Sequence, residues 1–375
     1  MITEKIFRKN LNIGDNVEND LIFTGLVGII DPPKENVDKS IAACKKAGIK
    51  VRMITGDHLK TAASIAREIG ILTDGKVIDG ETLDKLSDEE YFEMVDGIQV
   101  YARVKPEQKM RIVETLKQKG EIVSMTGDGV NDAPALKNAS IGVAMGSGTD
   151  VAKESGDMII QDDNFETIVT AIREGRKIYD NIKRFVKFQV STNVGAILTI
   201  VGTSIFMLPV PFNPVQLLWI NIVMDGPPAQ TLGMEGSERN IMTRQPETGD
   251  ILNKKVLIKI FIAGLVMAIG SIALFSYKLA IGASQKQAMT VAFTLFVMYQ
   301  LFNAYNSKSN SAKKSTYLYL AIIACFILQV LIVYIPELQI IFRTTSIGLT
   351  DWILIFIIAA TILVSNRIAN KIVVE

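Results

Sequence analysis

Long apolar runs fill the second half of the chain, whereas the first half alternates short apolar stretches with charged, glycine-punctuated segments. Within residues 1–184, β-type runs fall at Leu21–Ile29, Val51–Ile54, Val77–Ile78, Gln99–Ala102, Ile122–Met125, Ile141–Ala144 and Met158–Ile160. Helical patterns separate them, at Lys34–Ala47, Leu59–Ile69, Asp88–Met94, Pro106–Lys119 and Ala133–Lys137. This alternation predicts an α/β, Rossmann-like domain with a largely parallel sheet, helices on both faces and ligands at the carboxyl ends of the strands. From Asn164 to about Leu208 one pattern continues unbroken, with Phe165, Ile168, Val169, Ile172, Ile178, Ile182 and Phe185 at three- and four-residue steps. At 1.5 Å per residue that helix is roughly 67 Å long, about twice the bilayer core. Residues 164–184 are expected to form a cytoplasmic stalk, and the rest to cross the membrane. The alternative is two helices meeting at a bend, at Gly175 or Gly195.

Spans of about 20 apolar residues fall near 185–208, 214–233, 256–279, 288–306, 316–335 and 350–369. They predict an all-α bundle of six transmembrane helices over 185–375, behind a soluble domain at 1–163. The first residues are polar (Glu4, Lys5, Arg8, Lys9, Asn10), so no signal peptide is expected and the soluble domain belongs in the cytoplasm. Six spans return the C-terminus to that side. Positive charge agrees: the inner loops and tail hold nine basic residues (Arg239, Arg244, Lys254, Lys255, Lys308, Lys313, Lys314, Arg367 and Lys371), against three outside (Lys278, Lys286 and Arg343). Over the whole chain of 375 residues, 40 basic residues face 39 acidic ones, which argues against a nucleic-acid partner. Cys44 and Cys325 lie in different halves, so no disulfide is expected.

Within the second span, Leu217 to Pro228 carries Asn221 and Asp225 ahead of Gly226-Pro227-Pro228. A carboxylate at membrane depth costs on the order of 2.5–3.5 kcal/mol and marks a functional site. The four-residue spacing predicts that Asn221 and Asp225 share one helix face. The glycine and proline pair predicts a helix broken after Asp225, with freed carbonyls of the kind that coordinate ions. A cation site follows; a buried polar pair that fixes helix packing is the plainer alternative.

In the soluble half, Met53-Ile-Thr55-Gly56-Asp57 closes one strand and Met125-Thr126-Gly127-Asp128-Gly129-Val130-Asn131-Asp132 closes another. Glycines allow close approach of backbone to ligand, and threonine and backbone donors hold phosphate oxygens. Asp128, Asn131 and Asp132 offer hard oxygens suited to Mg²⁺. Lys109, near the start of a helix, would meet a phosphate as a point charge. Asp57 alone reads equally as the cap of the helix from Leu59. His58, the single histidine, reads as an exposed residue of the first helical turn, and Asp162-Asp163 as the cap of the long helix.

These stretches closely resemble the P-type cation-transporting ATPases, and among them the calcium pumps. The matching runs are Asp31-Pro-Pro-Lys34, Thr55-Gly-Asp57, Ala102-Arg103-Val104 with Pro106 and Lys109, Thr126 to Leu136, Gly142 to Ala152, and Gln216 to Leu232. The resemblance covers essentially the whole chain. It implies a phosphorylation domain of haloacid-dehalogenase type, ATP and Mg²⁺ as cofactors, and an aspartyl-phosphate that drives Ca²⁺ across a membrane, most simply a bacterial cell membrane. It further implies that Thr55, with Gly56 and Asp57, and Lys109 hold the phosphoryl group. Asp128 would then bind Mg²⁺, with Asn131 and Asp132 in support. Asp31, Lys34 and Arg103 become candidates on the nucleotide side, and Asn221 and Asp225 the Ca²⁺ ligands. Asn193 and Gln230 are secondary candidates, equally readable as bonds between helices.

The family's phosphorylated aspartate lies in Asp-Lys-Thr-Gly-Thr, which does not occur here. Its nucleotide domain, Thr-Gly-Glu loop and first four membrane helices have no counterpart either. The phosphorylation domain is therefore expected to be incomplete and the chain inactive alone, with a missing N-terminal half of the pump as its partner. Ala196 and Met224 stand where two-calcium pumps carry glutamate and threonine, implying one ion per cycle. The run Trp219–Gln230 is most similar to the secretory-pathway type, which also carries Mn²⁺. Two other readings remain: a membrane-anchored phosphatase of the same superfamily, whose Asp-x-Asp is absent, and a non-enzymatic truncated membrane protein.

Overall fold

A computed structural model of the chain describes residues 2–4, 22–25, 32–247, 249–309 and 315–365. The chain divides into two compact units, residues 1–42 with 51–166, and 43–50 with 167–375.

In the first unit, strands β1 (Ile2–Glu4) and β2 (Ile22–Gly25) pair antiparallel. The other residues of the strand expected over Leu21–Ile29 lie outside the described ones. Six further strands run parallel: β3 (Met53–Ile54), β4 (Lys76–Asp79), β5 (Ile98–Ala102), β6 (Ser124–Gly127), β7 (Ile141–Met145) and β8 (Met158–Ile160). Between them lie helices α1 (Val37–Lys46), α2 (Leu59–Glu68), α3 (Gly80–Lys85), α4 (Asp88–Met94), α5 (Pro106–Gln118), α6 (Ala133–Asn138) and α7 (Asp150–Ser155). Neither α3 nor α7 is visible as periodicity, because six residues are under two turns. Their signal is instead the cap, where Asp79 and Thr149 accept the amides of Thr82 and Ala152.

The expected single sheet is two sheets, ordered β3-β5-β4 and β6-β7-β8. β3 and β6 each pair on one side only. Yet Ile54 of β3 and Val123 beside β6 pack against the same two clusters, one containing Tyr101 and Ile112, the other Val113 and Leu136. The two open edges thus lie on a shared core, and the chain's strand order reverses there.

In the second unit, α8 (Phe165–Ile205) is one unbroken helix of 41 residues, about 60 Å long. No break divides it into two helices at Gly175 or Gly195. Gly195 instead lets α8 approach α11 (Lys254–Ala280): a Cβ there would meet Met267 Cβ at 3.1 Å, and one on Gly264 would meet the Gly195 nitrogen at 3.1 Å. The cap expected of Asp162-Asp163 belongs to Asn164, whose Oδ1 accepts the Glu166 amide, while Asp163 Oδ1 accepts the Ser147 amide.

Helices α9 (Pro214–Trp219) and α10 (Gly226–Gly233) flank a π-helical turn at Ile220–Met224 and together fill the second expected span. Then follow α12 (Gln285–Asn306), α13 (Thr316–Tyr334), α14 (Pro336–Phe342) and α15 (Leu349–Ala359). Among the described residues four helices, α8, α11, α12 and α13, are long and apolar enough to cross a membrane, and Leu349–Ser365 is a shorter apolar helix. Most of the apolar stretch of α12 is buried, 83% against 33% for the other three, so it is the central helix of the bundle. Phe293, Phe296 and Tyr299 pack there, and apolar side chains such as Ile258, Phe261, Ile323 and Ile327 face outward, as lipid requires. Lys278 of α11 and Asp351 of α15 form an ion pair with side chains only 9% and 4% exposed.

Candidate phosphate and cation sites

The first constellation sits at the carboxyl ends of β3, β5 and β6. The loop after β3 is stitched to the loop after β5 by backbone bonds: Thr55 N–H to Tyr101 O at 2.9 Å, Val104 N–H to Thr55 O at 3.2 Å, and Arg103 N–H to Asp57 O at 3.1 Å. Arg103 takes a left-handed φ of 49°, and Gly80 makes room for it, since a Cβ there would come within 2.6 Å of Arg103 O. Thr55 Oγ1 accepts the Asp57 amide at 3.1 Å. Asp57 does not cap α2; His58 does, its Nδ1 accepting the Lys60 amide. The capping explanation for Asp57 therefore falls away, and Gly56 and Asp57 are exposed beside the loop after β5.

Pro106 starts α5, and Gln108 fixes that start by accepting the Lys105 amide at 2.8 Å and donating to Gly80 O at 2.8 Å. One residue on, Lys109 reaches Asp132 Oδ1 at 2.6 Å, with side chains 15% and 9% exposed. The other oxygen of Asp132 accepts the amides of Asp128 and Gly129 at 3.3 and 3.2 Å. A Cβ on Gly127 would lie 2.4 Å from Asp132 Cβ, so only glycine lets this turn close. Asp132 is thus satisfied as an organiser of the loop. Asp128 and Asn131 are exposed at its tip, and Thr126 is partly buried. Of the two aspartates, Asp128 is the one free to ligate a metal, and its hard oxygens fit Mg²⁺. Mg²⁺ bound there would neutralise charge on a phosphoryl group.

Lys34 donates to Asp163 O at 2.9 Å, Asp163 Oδ1 accepts the Ser147 amide, and two residues on the Thr149 amide bonds to Asp128 O at 2.8 Å; Asp31 lies outside the described residues.

The second constellation surrounds Asp225, which is 1% exposed. Its amide bonds to Ile220 O at 3.0 Å, a five-residue step that opens the helix into a π turn. The break therefore precedes Asp225, whereas the sequence placed it after. Pro227 and Pro228 occupy the first turn of α10, where a missing N–H costs nothing. They do leave upstream carbonyls without helical donors, and one, Val223 O, receives the Cys325 thiol at 3.7 Å. Asp225 Oδ1 accepts Gln300 Nε2 at 2.9 Å, while Asp225 Oδ2 and Gln300 Oε1 are buried without hydrogen-bond partners.

Asn221 does not share this environment. The π turn offsets the four-residue spacing, and Asn221 is exposed, as are Asn193 and Gln230. Gln300 was absent from the expected site; its signal was an amide in the apolar stretch of the most deeply buried helix, three residues before the equally buried Asn303. Among the described residues, no three of His, Cys, Asp or Glu gather into a metal cluster. A cation at Asp225 would therefore draw its other oxygens from amides and carbonyls.

Comparison with known proteins matches both halves. Residues 4–140 match the haloacid dehalogenase-like hydrolases, and residues 209–372 the C-terminus of cation transporting ATPases. The chain belongs to the P-type cation-transporting ATPases. It is 41% identical to a calcium-transporting ATPase of Bacillus subtilis, over 91% of this chain and 40% of that protein. It is 40% identical to calcium-transporting ATPase 1 of Saccharomyces cerevisiae, over 94% and 39%. With the human calcium-transporting ATPase type 2C member 1 the identity is 38%, over 94% and 40%. The chain thus spans about two-fifths of the length of these relatives.

Proposed function

We propose that this chain is the cation-binding and phosphate-handling part of an ATP-driven Ca²⁺ translocase, which also accepts Mn²⁺, and that it works together with a separate or preceding part supplying the phosphorylated aspartate. The observation that carries this reading is Asp225, a carboxylate buried at a helix break, with one oxygen unpartnered, inside a bundle whose helices suit a membrane. Such a group is costly and is retained for function. In this reading Asp225 ligates Ca²⁺, and the exposed Asn221, Asn193 and Gln230 are oriented toward helices contributed by the complementing part. Thr55 and Lys109 position the phosphoryl group and Asp128 holds Mg²⁺. Arg103 and Lys34 flank the nucleotide side. The soluble unit and both chain ends lie in the cytoplasm, at a cell membrane.

The open edges of β3 and β6 support the need for a complement. A parallel strand inserted between them would join the two sheets and bring a residue at its carboxyl end beside Thr55 and Asp128. An aspartate there would be the phosphoryl acceptor. The test is phosphorylation from labelled ATP, with the chain alone and after co-expression with the N-terminal three-fifths of a related pump. An acid-stable, hydroxylamine-labile phosphoprotein that needs both parts and Ca²⁺ is expected. Phosphorylation of this chain by itself, or none with both parts and any of Ca²⁺, Mn²⁺ or Na⁺, would overturn the proposal.

A further inference from the structure

We infer that Gln300 sets which cation the Asp225 site prefers, by holding one carboxylate oxygen and restricting Asp225 to binding through the other. The inference rests on the cation site proposed above. Gln300 is 0% exposed on α12, and its Nε2 spends a hydrogen bond on Asp225 Oδ1 at 2.9 Å. Asp225 Oδ2 is left as the carboxylate's unpartnered atom, and Gln300 Oε1, equally buried, is unpartnered too. Buried polar atoms are almost always bonded, so two lone oxygens on one hydrogen-bonded pair point to a ligand that meets them. Both are hard oxygens, one anionic and one neutral, which suits a divalent cation and excludes an anion.

The hydrogen bond decides how the carboxylate can bind. Ca²⁺ accepts six to eight oxygens and gains from a carboxylate that grips it with both. Smaller divalent ions keep near-octahedral sites with one oxygen per ligand. An Asp225 fixed at Oδ1 offers the one-oxygen mode, so Gln300 tilts the site from Ca²⁺ toward Mn²⁺. Freeing Oδ1 restores the two-oxygen mode and tilts it back.

The test measures equilibrium binding of ⁴⁵Ca²⁺, and of Mn²⁺ by its spin resonance, to the full chain in lipid nanodiscs. Gln300→Met is nearly isosteric and cannot donate; Gln300→Asn keeps the amide but falls a methylene short of Asp225, and guards against a packing artefact of the first. Both are expected to raise the Ca²⁺-to-Mn²⁺ affinity ratio roughly tenfold, the scale of one hydrogen bond to a charged group. Asp225→Asn is expected to lose both ions. If Asp225→Asn abolishes binding while the Gln300 variants leave the ratio unchanged, or shift it toward Mn²⁺, the role of Gln300 is refuted and the cation site stands. If the unaltered chain binds neither ion, or Asp225→Asn binds both normally, the site and this inference fall together.

Discussion

Replacing Asp132 by alanine removes, in one step, the partner of Lys109 and the acceptor for two loop amides. Lys109 and Asp132 are 2.6 Å apart, with side chains 15% and 9% exposed. Breaking so buried a pair from one side leaves an uncompensated charge, a cost of about 3 kcal/mol at the low end of such losses. Lys109→Met should cost less, about 1 kcal/mol, because the Asp132 carboxylate keeps the amides of Asp128 and Gly129. The double variant should then fall short of the sum by about 1–2 kcal/mol. Tryptophan fluorescence is blind here, since Trp219 and Trp352 both lie in the second unit. Hydrogen exchange read by mass spectrometry over 106–118 and 124–132 is local to the pair, and 3 kcal/mol corresponds to roughly a hundredfold faster exchange through opening. Measurements in excess EDTA keep metal binding out of the comparison. Asp132→Ala exchanging within about threefold of the unaltered chain, or strict additivity in the double variant, would refute Asp132 as the organiser of this loop.

Three further outcomes are expected. Lys278→Met should destabilise the second unit by about 3–5 kcal/mol, and Lys278→Met with Asp351→Leu should recover most of that loss in thermal unfolding, because only the single variant strands a buried charge. The hydrogen bond from Lys183 holds Glu247 below the usual glutamate range, so this tie is present at and above the ordinary glutamate pKa and is lost as pH falls through the lowered value. Exchange over residues 235–247 should rise modestly in that acidic window, as the Glu247 side chain is 40% exposed, and Glu247→Gln should flatten the response. Burial pushes the Cys44 thiol up, against the nearby Arg176 charge; in a Cys325→Ser background it should resist iodoacetamide at neutral pH until the chain is unfolded, and rapid labelling of the folded chain would contradict its burial.

Much of the fold is legible because hydrophobic period and glycine punctuation agree along the chain. Met158–Ile160 and Asp88–Met94 fall where the pattern places them, and Lys109, Asp128 and Asp132 come together at one strand tip. What was not legible depends on non-local partners. The gap between β3 and β6 is invisible, since each strand looks complete without its neighbour. Asn221 and Asp225 were expected on one face because an α-helical step was assumed, and the five-residue bond from Ile220 to Asp225 displaces that register. Gln300 lies 75 residues from Asp225, so nothing local connects them. Caps at His58 and Asn164 were each misplaced by a residue or two, the usual uncertainty of helix ends.

The central claim is that Asp225 carries the transported cation. ATP-driven ⁴⁵Ca²⁺ uptake into vesicles, by this chain paired with a complementing N-terminal part, tests it most directly. Uptake should vanish in Asp225→Asn while exchange protection at Lys109 and Asp132 is unchanged. Undiminished uptake by Asp225→Asn would contradict the account.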